Sequence, residues 1–483
     1  MLTIALIAIP LIMSGVIFLA GANLSKTLAL ATTLIQLALT GFAAWQFSQG
    51  QLELLTFDQG WIGPLGIHYH FTLDGISLIL ALLSAIVSPL IVYSTFGKSI
   101  KNPHIYYSLI MMMIAAMMGA FTAADGLWFY IFYEIALIPI YFIVLNWGHG
   151  EHRAAITLKF FVYTIFGSLF MLASLLYVYQ HTAPHSFAFS ALYEAGKSLS
   201  GVEQGLVFAG FFIAFAVKMP VFPFHTWQPS TYNAAPTAGT MLLAAIMLKM
   251  ATYGLIRIAL PMVPTGVAEY GTWAMVLSVM GIVYASGVAI AQKKYKLLIA
   301  YSSIAHVGLI SAGILSGNSQ GVQGGLFEML SHGILAVGLF YVYDILESRF
   351  GHDDMAKMGG IRDVNPLFAF LFFAIVMGSV ALPFTSGFVG EFLLLVGLFQ
   401  YGWVFALFGG LTVILGAVYM LRAFQTMMLG PANERSVSFA PLTTQEKTIL
   451  AIIVILVIAL GIFPAPLMEL SNSTVESILA TIH

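Results

Sequence analysis

Stretches of roughly twenty apolar residues, the length that crosses a hydrocarbon core, succeed one another from end to end of this 483-residue chain. Hydropathy places them near 3–21, 27–47, 72–96, 105–123, 125–146, 157–179, 204–224, 237–260, 268–291, 297–316, 322–344, 367–398, 402–425 and 448–466, which predicts fourteen helical spans. Only 8% of the residues are charged, against about 25% in ordinary soluble domains, so a soluble fold is excluded. No sizeable extramembrane domain is left over. The first run lacks a basic flank and is followed at once by a second, so it reads as a span and not as a cleaved signal.

Alternate loops differ sharply in basic residues. One set collects Lys26, Lys98, Lys101, Arg153, Lys293, Lys294, Lys296, Arg349, Lys357, Arg362, Arg435 and Lys447, while the other holds Lys197. By the positive-inside rule the first set is cytoplasmic and both termini lie outside. An error of one span would switch every later loop to the wrong side, so the asymmetry supports the count of fourteen.

Two segments interrupt the helical pattern. Pro220 and Pro223 break the seventh span between Val217 and His225, and Pro383, Gly387 and Gly390 break the twelfth between Ala381 and Glu391. Proline removes a backbone donor, and in a bilayer the freed groups must be satisfied by protein or water. Each break falls in the fourth span of a five-span block. The predicted organisation is an all-α polytopic membrane protein with three N-terminal spans (1–103), two inverted five-helix repeats (104–261 and 262–426), and a fourteenth helix with a tail (427–483). Inversion follows from the odd number of spans per block.

Several ionisable residues fall at depths where lipid forbids them. Glu134 is midway along span five, Lys218 precedes the first break, Lys249 is central in span eight, His306 and His332 lie within spans ten and eleven, and Glu391 follows the second break. A charge at the bilayer centre costs about 2.5–3.5 kcal/mol even on the lenient insertion scale, so the bundle interior must receive them. One acid with one base would be explained as a packing pair. A series of acids, lysines and histidines on six spans points instead to proton transfer, which needs groups whose two protonation states are close in free energy. Burial favours the neutral form and an opposite charge favours the ionised one, so a lysine beside a glutamate is switchable, whereas arginine does not deprotonate. A haem clamp fits the two histidines less well, because it needs paired ligands at matching depth. Glu328, four residues before His332 on the same helix face, would help hold a proton on that histidine.

Other features read more plainly. Asp74 and Asp125 stand at span starts and suit the helix dipole, and Lys159 and Arg257 lie near span ends, where long side chains snorkel. The chain has no cysteine and so holds neither a disulfide nor a thiolate-ligated iron–sulfur cluster. A net charge of −2 with scattered basic residues gives no nucleic-acid footprint. Phosphate-cradling loops, nucleophile triads and metal-ligand spacings are also missing.

The motifs together resemble the antiporter-like subunits of respiratory complex I, NADH:quinone oxidoreductase. The resemblance rests on Trp128 through Glu134 to Pro139, Arg153 to Phe161, Lys218-Met-Pro220 with Pro223, His225 and Trp227, Ala235-Pro-Thr-Ala-Gly239, Leu248-Lys249, Ser302-Ser-Ile-Ala-His306 and Phe388-Val-Gly-Glu-Phe392, and it covers nearly the whole chain. Sister L- and N-type subunits and Mrp-type antiporters generally carry lysine in the twelfth span, so Glu391 points to the M type. Missing from this chain is the family's Asp, His and Glu between Trp227 and Pro236, which bears on any proton access through residues 228–235.

The resemblance implies a polar axis in the membrane plane, with Glu134 as the regulating acid, Lys218 as its switchable partner, Lys249 as the central relay, His306 and His332 as connectors, and Glu391 as the terminal group. It further implies proton translocation driven by quinone reduction in other subunits. There would be no redox cofactor in this chain, with FMN, iron–sulfur clusters and quinone bound elsewhere. Expected partners are L-, N- and K-type neighbours, and the expected location is a bacterial inner membrane. The alternatives are an Mrp-type sodium/proton antiporter subunit or a related subunit of a membrane-bound hydrogenase.

Overall fold

A computed structural model describes residues 1–482. In chain order the elements are α1 (Leu2–Ala20), α2 (Ala22–Ser48), a hairpin of β1 (Thr56–Ile62) and β2 (Ile67–Thr72), α3 (Gly75–Ser94), α4 (Pro103–Thr122), α5 (Gly126–Trp147), α6 (Arg153–Gln180), α7 (Phe189–Ser198), α8 (Gly201–Lys218), α9 (Gln228–Ala234), α10 (Thr237–Met262), α11 (Pro264–Ala291), α12 (Tyr295–Leu315), α13 (Ser319–Phe350), α14 (Pro366–Ser379), α15 (Ser386–Tyr401), α16 (Trp403–Leu429), α17 (Thr444–Ile462) and α18 (Ala465–Ile482). Thirteen of the helices are long and apolar enough to cross a membrane. The remaining predicted span is the pair α14 and α15, too short singly and divided at the predicted break.

Burial sorts the helices. All of the apolar window of α13 and 94% of that of α10 are buried, whereas α1, α16 and α17 each bury 28%. A helix apolar all round and buried all round is a central one, so α10 and α13 form the axis and α1, α16 and α17 lie at the periphery of the bundle. Glycines set how closely α13 and α15 approach. A Cβ on Gly397 would lie 2.5 Å from the Gly321 nitrogen, and one on Gly324 would lie 2.7 Å from the Leu394 nitrogen. Such small-residue seams are a common way for helices to associate where lipid offers no hydrophobic drive.

The breaks form where proline removes donors, and each is repaired locally. Past Lys218 the Val217 carbonyl receives the Trp227 indole N–H at 2.7 Å, and the Val221 N–H turns to Ala216 at 2.9 Å. At the second break the Leu382 N–H reaches Met377 at 3.0 Å, while Ala381 and Phe384 adopt positive φ of 55° and 71°. These are strained values for residues with side chains. Helix α10 carries two π-helical turns, Leu243–Met247 and Leu255–Ala259, which flank Lys249.

Loops predicted on one face contact one another. On the sparsely charged face the β1–β2 hairpin, paired Thr56↔Thr72 and Phe57↔Phe71, lies against the α4–α5 loop through Phe71↔Ala123, and that loop meets the start of α7 through Asp125↔Ala188. On the basic face Lys98 pairs with Asp344, Arg349 with Glu446, and Lys294 with Asp353. Residues 465–482, expected as a tail, form a helix folded back on α3 and α13. Gly75 N–H donates to Thr474 Oγ1, and Ser471 Oγ donates to the buried Gln323. Expected to snorkel, Arg257 instead sits in the second π turn and turns inward onto Asp74 at the start of α3, where Ser77 and, from its own helix, Tyr253 also meet it. Asp74 and Asp125 do cap their helices, at Ser77 and at Leu127 and Trp128.

Candidate functional site

Five of the six predicted side chains are buried and Glu134 is half-buried, and the six fall into two groups. The first lies between α5 and α8. Lys218, the last residue of α8, is 2% exposed. Its Nζ donates to the Tyr133 carbonyl at 2.6 Å and sits 3.2 Å from the centroid of the Tyr133 ring, combining a carbonyl dipole with a cation–π contact. Tyr133 belongs to the last turn before α5 is interrupted at Ala136, where carbonyls lose their ladder partners. Glu134 follows directly and counts Lys218 as its charged neighbour. The ammonium therefore rests on the residue beside the carboxylate and not on the carboxylate itself.

The second group joins four helices in a row. Lys249, 1% exposed, donates to the Ala244 carbonyl in the first π turn at 2.7 Å, and its Nζ lies 2.8 Å from His332 Nδ1. The His332 and His306 rings are 5.7 Å apart, centroid to centroid. His306 Nε2 stands 3.2 Å from Glu391 Oε1, while its Nδ1 lies 2.8 Å from the Ser302 carbonyl. A hydrogen bond to each ring nitrogen fixes the imidazole between its neighbours. Beside this row is a small cavity lined by Ser302, Ser303, His306, Glu328, His332 and Glu391 among others, with about 20 Å³ open to a water centre, room for one molecule.

Aromatic side chains fill the space between the groups. Phe215 packs on Gly254 and stands 6.3 Å from the Tyr133 ring, and Phe129 stands 6.0 Å from Tyr253. Among the described residues no hydrogen bond joins Lys218 to Lys249. Four of the six predicted residues thus form one continuous buried row, and the other two, buried Lys218 and half-buried Glu134, form a separate pair.

A model of the family described as NADH:quinone oxidoreductase/Mrp antiporter, TM, matches residues 123–416, the stretch that carries both groups. The chain belongs to this family. Curated relatives agree: the NADH-quinone oxidoreductase subunit M of Rickettsia conorii is 38% identical over 420 residues, 87% of this chain and 85% of the relative. That of Escherichia coli K12 is 34% identical over 478 residues, 95% of this chain and 93% of the relative. Among solved structures, a chain of respiratory complex I from Thermus thermophilus with bound NADH superposes with a TM-score of 0.90 at 27% identity, covering 99% of this chain and all of that one. A chain of the Mrp complex from Dietzia matches with a TM-score of 0.86 at 20% identity, covering all of this chain and 99% of that one, which speaks for the fold alone. This member of the NADH:quinone oxidoreductase/Mrp antiporter family is an integral, multi-pass membrane protein.

Two residues of this family member stand differently from their sequence reading. Glu328 does not meet His332, whose ring is turned to Lys249; its carboxylate faces the cavity beside Glu391. Lys296, grouped by the sequence with the basic loop residues, lies in α12 and is 1% exposed. Its Nζ donates to the Ala235 carbonyl at 2.8 Å and lies 4.9 Å from the Tyr343 ring centroid. It thereby clasps the C-terminal end of α9. The signal was helical spacing, since 296, 299, 303 and 306 follow one face of α12, and three of them line the cavity with His306 among them. At the faces, burial lowers the affinity of His70 and His149 for protons and pushes the Asp125 carboxyl up to about 6.

Proposed function

We propose that this chain is the M-type membrane-arm subunit of a proton-translocating NADH:quinone oxidoreductase in a bacterial inner membrane. The observation that carries this reading is the unbroken buried row Lys249, His332, His306 and Glu391, because four titratable groups within hydrogen-bond or ring-contact reach suit the hand-off of protons through a dry interior. Curated relatives named subunit M at 34–38% identity over most of both chains support the M type, whereas the likeness to the Mrp structure is one of fold. The cysteine-free sequence supports placing iron–sulfur chemistry in other subunits, with L-, N- and K-type chains as membrane neighbours.

In this reading Glu134 and Lys218 form the input, within the first five-span block (104–261), and the row from Lys249 to Glu391 reaches into the second (262–426). A charge change in a neighbouring subunit alters the electrostatic cost of the Lys218 ammonium. Lys218 then moves between the Tyr133 carbonyl and Glu134, and a proton on Lys249 is driven towards Glu391. Water or side-chain motion across the Phe215 region completes the route between the groups. The test is Glu134→Gln and Lys249→Ala in the assembled enzyme, with NADH-driven proton uptake and quinone reduction measured together in inverted vesicles. Protons taken up per electron fall in both variants; an unchanged ratio in both overturns the reading.

A further inference from the structure

The relay described above leaves one buried acid without a role. Glu328 is 1% exposed, lies on α13 one turn before His332, and presents its carboxylate to the cavity that also receives Glu391. Oε2 of Glu328 and Oε2 of Glu391 are both buried and without a hydrogen-bond partner. A buried carboxylate oxygen left without a donor is costly, and the cavity between them has room for one water.

Their proximity is built into the backbone. A Cβ on Gly390 would fall 2.5 Å from Glu328 Oε2 and 2.8 Å from Glu328 Cβ, so the Glu328 side chain lies along α15 in the space that glycine leaves, one residue from Glu391. A packing role alone would be met more cheaply by an apolar side chain at this position. The ionisable groups around Glu328 are Lys249 on α10, Glu391 on α15, and the imidazoles of His306 on α12 and His332 on its own helix.

We propose that Glu328 is a proton-carrying residue that shares one proton with Glu391 across the α13–α15 seam and gives Lys249 an acceptor independent of the two histidines. This rests on the proton-relay reading above and adds a parallel branch to it. Two carboxylates facing one small dry cavity repel when both are charged, and a single proton held between them, directly or through one water, satisfies the open Oε2 atoms. In the transfer step the Lys249 ammonium loses a proton and becomes an amine, the Glu328 carboxylate gains it and becomes a carboxylic acid, and total charge is conserved. This step follows the onward release of the shared proton from Glu391, so the pair starts with none, regains one from Lys249 on Glu328, and shares it again with Glu391.

Two branches in parallel make a specific pattern in proton-to-electron ratio, read on the assembled enzyme in inverted vesicles. Glu328→Gln, which keeps the shape over Gly390, and His306→Gln each lower the ratio in part. The double variant loses as much as Lys249→Arg, which blocks both branches at their common donor. A double variant no worse than the more affected single one overturns the proposal while leaving the relay reading intact. A full ratio in Lys249→Arg overturns the relay itself. Infrared difference spectra supply a second readout: a protonated-carboxyl C=O band present in the parent enzyme disappears in Glu328→Gln and persists, shifted, in Glu328→Asp. Identical carboxyl bands in parent and Glu328→Gln also overturn the proposal.

Discussion

Replacing Lys249 by arginine separates charge from proton transfer more cleanly than truncating it. Both side chains are cationic donors, so the substituted guanidinium still offers N–H groups to the Ala244 carbonyl and to His332 Nδ1, which Lys249 meets at 2.7 and 2.8 Å. What changes is the cost of giving the proton away. Unperturbed ammonium and guanidinium groups differ by about 2–3.4 pH units in proton affinity, worth about 3–5 kcal/mol, which on a transfer barrier is on the order of 10²–10³ in rate. The larger head group in a packed interior costs a further ~1–3 kcal/mol, but that cost appears as lowered thermal stability and not in coupling. In inverted vesicles carrying Lys249→Arg, NADH-driven proton uptake per electron therefore falls by the share this subunit contributes, while the enzyme still assembles and reduces quinone. An assembled Lys249→Arg enzyme with the parent ratio would show that Lys249 acts through its charge alone, and the reasoning from proton affinity would be wrong.

Three other expectations concern the scaffold. Arg257→Ala strands Asp74 inside the bundle and destabilises the protein by about 3 kcal/mol, the low end for a broken buried pair because Asp74 keeps 24% exposure; Asp74→Ala combined with Arg257→Met recovers most of the loss in detergent thermal unfolding. Burial raises the Asp125 carboxyl from 3.8 to about 6, so the folded state holds that proton more tightly and stability falls as pH rises across the interval. Asp125→Asn keeps an effective cap and removes that slope in pH-dependent melting curves. Gly387→Ala places a Cβ 2.2 Å from the Gly378 carbonyl, where backbone cannot yield, and costs about 1–3 kcal/mol, visible as reduced assembly and a lower melting temperature.

Fourteen spans were legible because lipid permits little else: a run of apolar residues has one use at this density. Both helix breaks were legible through proline and glycine. The two π turns of α10 were not, since Leu243–Met247 and Leu255–Ala259 contain no proline and look like ordinary helix. They arise from tertiary demand, one opening a carbonyl to Lys249 and the other turning Arg257 inward. Depth alone identified Glu134, Lys218, Lys249, His306, His332 and Glu391 as residues needing an interior. Partnership was harder to read, because it depends on which helices meet. Glu328 and His332 share a helix face, yet α10 takes the histidine and α15 takes the acid.

Charges near the faces of this protein and charges in its interior are held differently, and the difference bears on mobility of the proton. Near the faces, Arg257 and Asp74, Lys98 and Asp344, and Arg349 and Glu446 are direct acid–base pairs, in which an opposite full charge holds the proton in place. In the interior, Lys218 and Lys249 rest on neutral backbone carbonyls, Tyr133 at the interruption of α5 and Ala244 in a π turn. A carbonyl dipole satisfies an ammonium without stabilising it as strongly as a carboxylate does, so the neutral amine stays within reach. Helix irregularity is thus the structural means by which a lysine ammonium is solvated in a dry bundle without a carboxylate partner.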